Sequence, residues 1–190
     1  MPTSFIEPSR LSPYLSPVDF LQPVLDGPSI FVTPLVPAHF DELYQAASDP
    51  LIWAGHPSPL RYQKEEFCRW FELALESKGA LVVVEKSSGK VIGSSRYYEY
   101  DESKSEICIG FTFLTRECWG RNINRELKSL MLEHAFSRVK TVWFHVGASN
   151  IRSQMAMKKI GATESHRAEK IINGKLLQYV FYKIEKAQDK

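Results

Sequence analysis

Two hydrophobic periods meet in the middle of the chain. Between Ile107 and Phe113 the apolar residues Ile109, Phe111 and Phe113 alternate with small or polar ones, as on a half-buried strand. Beyond Trp119-Gly120, residues Ile123, Leu127, Leu130 and Met131 stand at i, i+4, i+7 and i+8, one face of a helix. A strand, a polar turn and a helix are therefore predicted in that order. The first turn of such a helix carries free N–H groups and the positive end of its dipole, and Arg116, Arg121, Arg125 and Lys128 crowd around it. The pattern predicts a cradle for a phosphate-bearing ligand.

The same reading assigns the rest of the chain. Residues 1–25, rich in Pro and Ser, form an irregular arm; its Phe5, Tyr14, Leu15, Phe20 and Leu21 leave open an unstructured tail or an arm packed on the domain or on a second subunit, as in a homodimer. Ile30 to Leu35 reads as a strand. Pro37 opens a helix through Phe40, Leu43, Tyr44 and Ala47, which ends near Asp49-Pro50. Leu51 to Leu60 has no consistent period and is a loop, with Trp53 and His56 in it. Phe67, Trp70, Phe71 and Ala74 make a second helix to about Ser77. Ala80 to Glu85 and Val91 to Tyr98 are strands joined around Gly89, and Thr141 to Val146 is a further buried strand. Asn150 caps a helix over Ile151 to Ile160 that Gly161 closes, and Asn173-Gly174 turns a last hairpin ending near Lys186. The fold class is α/β (α+β): one domain over 26–186 with a single mixed, mostly antiparallel sheet of about seven strands and about four helices.

Composition narrows the classes. With 190 residues, 44% hydrophobic and 24% charged, the chain suits one ordinary globular domain. A net charge of +2 gives no reason to expect nucleic acid or a membrane as partner. Cys68, Cys108 and Cys118 are odd in number and lack CxxC spacing, so free thiols in a reducing compartment are expected and no metal site. No apolar run approaches the roughly 20 residues of a membrane span, and the expected location is cytoplasmic. Walker, Gly-x-Ser-x-Gly and His-Glu-x-x-His motifs are missing from the sequence.

The segments IGFTFL, WGRNINRELKSLMLEHAF and NIRSQMAMKKIGA, in this order of elements, resemble the GCN5-related N-acetyltransferases (GNAT), and most closely the RimJ/RimL ribosomal-protein-alanine acetyltransferase branch. Asn150, Ser153, Lys159 and Gly161 match that branch's Asn-x-x-Ser…Lys-x-Gly signature. The resemblance implies a sheet splayed between its fourth and fifth strands, with acetyl-CoA as co-substrate in the gap and its pyrophosphate on the helix after strand four. It points to the main chain of Phe113, Leu114 and Thr115, to Gly120, Arg121, Asn122, Ile123, Asn124 and Arg125 in the phosphate loop, and to Asn150 and Ser153. Asn122 and Asn124 stand where the family has glycine or alanine, and their Cβ atoms restrict how closely phosphates approach. Met157 replaces a tyrosine acid found in many members, and Cys108 replaces a glutamate two residues before Gly110.

An α-amine titrates near ~8 and a lysine amine near ~10.4, so acetyl transfer at pH 7 needs a base. Glu106 is the first candidate, against the plain alternative of a solvated carboxylate. His56 is the second and, with Trp53, marks the acceptor mouth; an ordinary loop histidine is its plain alternative. Ser153 is the residue left to protonate the thiolate, and Asn150 serves at least as a cap. Trp119 reads as a core anchor, and Cys118 has no partner to make it a nucleophile. The expected function is acetyl transfer from acetyl-CoA to a primary amine of a protein N-terminus or a small molecule. A silent acyl-CoA-binding module and an interaction protein built around the arm are the alternatives.

Overall fold

The computed structural model describes residues 20–172 and 174–187. Residues 1–19, most of the expected arm, and Asn173 of the last turn lie outside them. The described strands are β1 (Leu25–Asp26), β2 (Ile30–Pro34), β3 (Ala80–Glu85), β4 (Val91–Asp101), β5 (Glu106–Leu114), β6 (Thr141–Gly147), β7 (Thr163–Ile172) and β8 (Lys175–Glu185); the helices are α1 (Phe40–Ala47), α2 (Lys64–Glu76), α3 (Ile123–Ala135) and α4 (Ile151–Lys159). The strands form one sheet in the order β1-β2-β3-β4-β5-β6-β8-β7. Every neighbouring pair is antiparallel except β5 and β6, which run parallel. The two-residue β1 was not foreseen, so the splay expected between the fourth and fifth strands falls between β5 and β6.

Each face of the sheet has its own core. Ile107, Ile109, Val142 and Phe144 pack with Ile123, Leu127 and Met131 of α3 on one face, while Phe113 joins Trp53, Phe67, Trp70 and Phe71 on the other. Helix α3 is pinned at both ends. Glu126 Oε1 accepts from Ser29 N at 2.7 Å and Ile30 N at 3.1 Å, and Tyr97 Oη donates to Met131 O at 2.6 Å. Phe20 is buried, its ring 5.0 Å from that of His134, and its carbonyl lies 2.8 Å from His134 Nε2. The end of the expected arm thus packs on the domain, ahead of residue 26.

The alternation expected along β5 breaks. Ser94 pairs with Phe113 and Arg96 with Gly110, so Phe111 and Thr112 together oppose Ser95 alone. Phe111 takes a φ of 52° and is exposed. This is a β-bulge, and it moves Phe113 to the opposite face from Ile109, where strict alternation would have kept them together. Such an extra residue re-aims a strand. β5 and β6 pair only at Glu106↔Thr141, Ile107↔Val142 and Cys108↔Trp143, and beyond those they separate.

Candidate active site

The opening between β5 and β6 is a cleft of about 650 Å³. Gly110 to Leu114 form one wall, Phe144 to Gly147 the other, and α3 and α4 flank it. Thr115, one of three expected main-chain donors, commits its N–H to Ile92 O at 2.8 Å. Successive N–H groups of a strand alternate in direction, so that of Leu114 turns away from β4 and toward the cleft. Asn150 Oδ1 accepts from Ser153 N at 3.2 Å as an N-cap, and Ser153 itself lines the cleft.

At the cleft's outer end Gly120 has a φ of 75°, a conformation that favours glycine. Asn122, the N-cap of α3, has an ordinary φ of −75° and makes no side-chain cap bond. The backbone therefore does not require glycine there. Gly120, Arg121, Asn122, Asn124 and Arg125 all line this end, beside the free N–H groups of the first helical turn, whereas Ile123 is buried beneath it. The basic group expected around it is only partly free. Arg116 pairs with Asp49, Arg121 Nη2 lies 2.9 Å from Glu85 Oε1, and Lys128 is buried. Arg152 of α4 reaches across, donating to Ile52 O at 2.5 Å and lying 4.2 Å from the Trp119 ring centroid. Trp119 is 40% exposed, so it is no core anchor.

A second recess, of about 780 Å³, lies at the other end, lined by Glu99, Glu106, Cys108, Trp143, His145 and Lys170 among others. Its wall and that of the cleft have one residue in common, His145, two positions past the last β5–β6 pair. Lys170 Nζ lies 2.9 Å from His145 Nδ1, and His145 Nε2 lies 3.6 Å from Cys108 Sγ, which donates to Glu99 Oε2 at 3.5 Å. Burial, and Lys170 beside it, hold His145 down at about 4, so it is neutral at pH 7. Burial and then the Glu99 carboxylate push the Cys108 thiol up, which keeps it protonated and unreactive. Glu99, Cys108 and His145 each offer one ligand atom within 4.8 Å of the others, but the thiol keeps its proton and the Lys170 amine lies against His145.

The sequence-predicted residues separate into two groups. Trp53, His56, Phe113, Leu114, Asn150 and Ser153 meet at the cleft, whereas Glu106 lines only the recess. His56 Nδ1 accepts from Ser58 N at 2.9 Å, which leaves its hydrogen on Nε2 as a donor. Burial, then the Arg61 charge, hold it down at about 3. Sequence reasoning missed Glu99, His145 and Tyr179. The first two sit on strands with no motif around them, and Tyr179 reaches the cleft from β8 opposite Gly147.

Residues 30–163, more than half of the chain, match the profile of the acetyltransferase (GNAT) domain family. The chain belongs to the GNAT family. Solved GNAT structures share its fold. A GCN5-related N-acetyltransferase from Brucella melitensis is 20% identical, with a TM-score of 0.76 over 86% of this chain and 79% of that one. A GNAT-family acetyltransferase from Bacillus anthracis is 14% identical, with a TM-score of 0.71 over 85% and 98%. A Vibrio cholerae protein described as a ribosomal-protein-serine acetyltransferase is 11% identical, with a TM-score of 0.72 over 86% and 97%. No curated protein matches the sequence. The family establishes an acyltransferase that moves acetyl groups. No described helix is long and apolar enough to cross a membrane.

In this GNAT cleft Lys128 is an internal support. Its Nζ donates to Thr112 Oγ1 at 2.6 Å and lies 3.4 Å from Ser95 Oγ, one residue from each strand of the bulge. Burial alone holds it down at about 7. In the unfolded chain the amine titrates near ~10.4. Below pH 7 both states carry the proton and the native state bears the full cost of the buried charge. Between the two values the unfolded state binds more protons, so stability rises with pH across that window. Lys128→Met is therefore expected to be more stable than the wild type at pH 6, by roughly 2 kcal/mol, with the difference shrinking toward pH 10. Urea midpoints at pH 6 and pH 9.5 check this; a difference of equal size at both would refute it.

Proposed function

We propose that this protein transfers the acetyl group of acetyl-CoA to a primary amine by direct attack, without an acyl-enzyme. The observation that carries this is the meeting of the two cavities at His145, where β5 and β6 part. The cleft takes the pantetheine chain, the first turn of α3 and Gly120 to Arg125 take the phosphates, and the recess admits the amine. Glu99 takes the role expected of Glu106. Its carboxylate reaches Cys108, the position where the family has a glutamate, from the neighbouring strand. Neutral His56 and His145 both present N–H, whereas a carboxylate has only acceptors.

The amine gives its proton to Glu99, directly or through water, and its lone pair attacks the thioester carbon. The Leu114 N–H stabilises the oxyanion. As the new C–N bond is retained the C–S bond breaks, the departing thiolate takes a proton from Ser153 or from Tyr179, whose phenol burial keeps protonated, and the second proton of the nitrogen passes to that hydroxyl, directly or through water, to restore it. The products are an amide and free CoA. The Asn150, Ser153, Lys159 and Gly161 signature supports placement in the RimJ/RimL branch, and three free thiols, two of them buried, support a cytoplasmic location.

Purified protein with acetyl-CoA is expected to release thiol with at least one member of a panel of N-terminal peptides, lysine peptides and small amines. Binding of acetyl-CoA without thiol release from any of them would leave a silent module, and no binding would overturn both readings.

A further inference from the structure

Two arginines beside the cleft, Arg96 buried and Arg61 half-buried, have no anion. Arg96 of β4 is 93% buried, with 7% relative exposure, and its Nε and Nη2 make no hydrogen bond. Its guanidinium carbon lies 4.2 Å from the ring centroid of Phe111, the bulge residue that lines the cleft, and Arg96 itself pairs with Gly110. Arg61, in the turn ahead of α2, lies 5.1 Å from the Trp53 ring centroid and 5.7 Å from that of Trp70. It has no hydrogen bond or ion pair among the described residues. Glu66, the acid that bears on it, ion-pairs with Arg69. Trp70 Nε1 is a further buried donor without a partner.

These groups are all donors. Burial pulls both guanidiniums down to about 10, the Arg96 charge lowering Arg61 further while Tyr98 opposes the shift of Arg96, and both stay charged at pH 7. A desolvated guanidinium without a counter-charge is costly, and arginine cannot escape the cost by losing its proton. The missing partner must therefore be an anion with several acceptor atoms. It must also be small, because neither guanidinium lines the cleft itself: each lies against a ring of its wall, Arg96 on Phe111 and Arg61 on Trp53. Arg96 stands two residues before Tyr98, about 7 Å along a strand, and the Tyr98 ring is 5.8 Å from that of His145. Tyr98 thus stands between Arg96 and His145 along the same strand face.

We propose that Arg61 and Arg96 form a carboxylate-binding subsite, and that the acceptor is a small amine carrying a carboxylate, an amino acid or a close relative. This rests on the acetyl-transfer reading of the cleft for its amine half only. The carboxylate docks against the two guanidiniums and sets the amine toward Glu99 and His145. Removing the negative charge leaves buried Arg96 and half-buried Arg61 unpaired, so discrimination against the neutral amide is large.

The test uses the full chain with glycine, β-alanine and 4-aminobutanoate, each paired with its primary amide, and inorganic phosphate as a further probe. Binding is followed by calorimetry and by thermal unfolding, without and with CoA, and thiol release from acetyl-CoA is followed separately. At least one amino carboxylate is expected to bind tenfold or more tightly than its amide, and Arg96→Gln is expected to erase that preference while CoA affinity stays within threefold. Arg61→Gln, in a turn, gives the same test if Arg96→Gln does not fold. Equal binding of acids and amides overturns the subsite, as does tight binding of phosphate alone or acetylation of peptides without regard to a carboxylate. Carboxylate binding with no thiol release would remove the transfer reading and keep the subsite. Thiol release as fast with amides as with acids would do the reverse.

Discussion

Gly93→Ala is expected to destabilise the protein by roughly 2–4 kcal/mol and to weaken acetyl-CoA binding tenfold or more. A Cβ at Gly93 would lie 2.1 Å from Phe113 O, 2.9 Å from Leu114 Cδ2 and 3.0 Å from Leu114 Cα. Two of these atoms are backbone, so no side-chain rotation relieves the clash and β5 itself must move. The moving segment is the cleft wall beside Thr115, whose N–H is tied to Ile92 O. Stability and binding should therefore fall together. Gly89→Ala is the comparison: its φ of 68° strains an alanine, but nothing lies within 4 Å of the added Cβ. It should cost only about 1 kcal/mol and leave binding unchanged. Urea unfolding and calorimetric titration with CoA measure both effects. A Gly93→Ala protein with wild-type midpoint and affinity would show that the strand pair yields freely there.

Glu99→Gln is expected to lower kcat by about 10²-fold or more and leave the affinity for acetyl-CoA within threefold. The amide keeps the size of the carboxylate but cannot take a proton. Glu99 is held in place by the backbone, with a φ of 49° inside the register shift between Tyr98 and Asp101. That bulge turns its side chain over Cys108. Glu106→Gln should have much the smaller effect, because Glu106 stands two residues farther out on β5, about 7 Å, and lines only the recess. Single-turnover measurements with saturating acetyl-CoA isolate the chemical step. If Glu106→Gln slowed it more than Glu99→Gln, the base would be Glu106, as the sequence alone suggests.

Much of the architecture is legible in local pattern. The i, i+4, i+8 spacing of Ile123, Leu127 and Met131 found the buried face of α3, because burial on a helix follows its 3.6-residue period whatever the helix packs against. Asn150 and Gly161 marked both ends of α4 for a similarly local reason: a side-chain acceptor bonds the first turn, and a φ of 81° at the last favours glycine. Lys128 shows the limit. One helical turn from Asn124, it reads as a fourth cation at a phosphate site. Its side chain instead points inward to Thr112 and Ser95, which no one-dimensional pattern places near it.

By itself the sequence determined the order of the strands and helices after β1, the position of the start of α3, and the caps of α4, since each depends on residues within a few positions of one another. Only the tertiary structure decided that Glu99 rather than Glu106 stands against Cys108 and His145, that the bulge at Phe111 divides β5 between two cores, and that Arg96 is buried without an anion. Those outcomes depend on register between strands and on what is excluded from water. Both are set by contacts between residues far apart in the chain, such as Glu99 with His145 and Arg96 with Phe111.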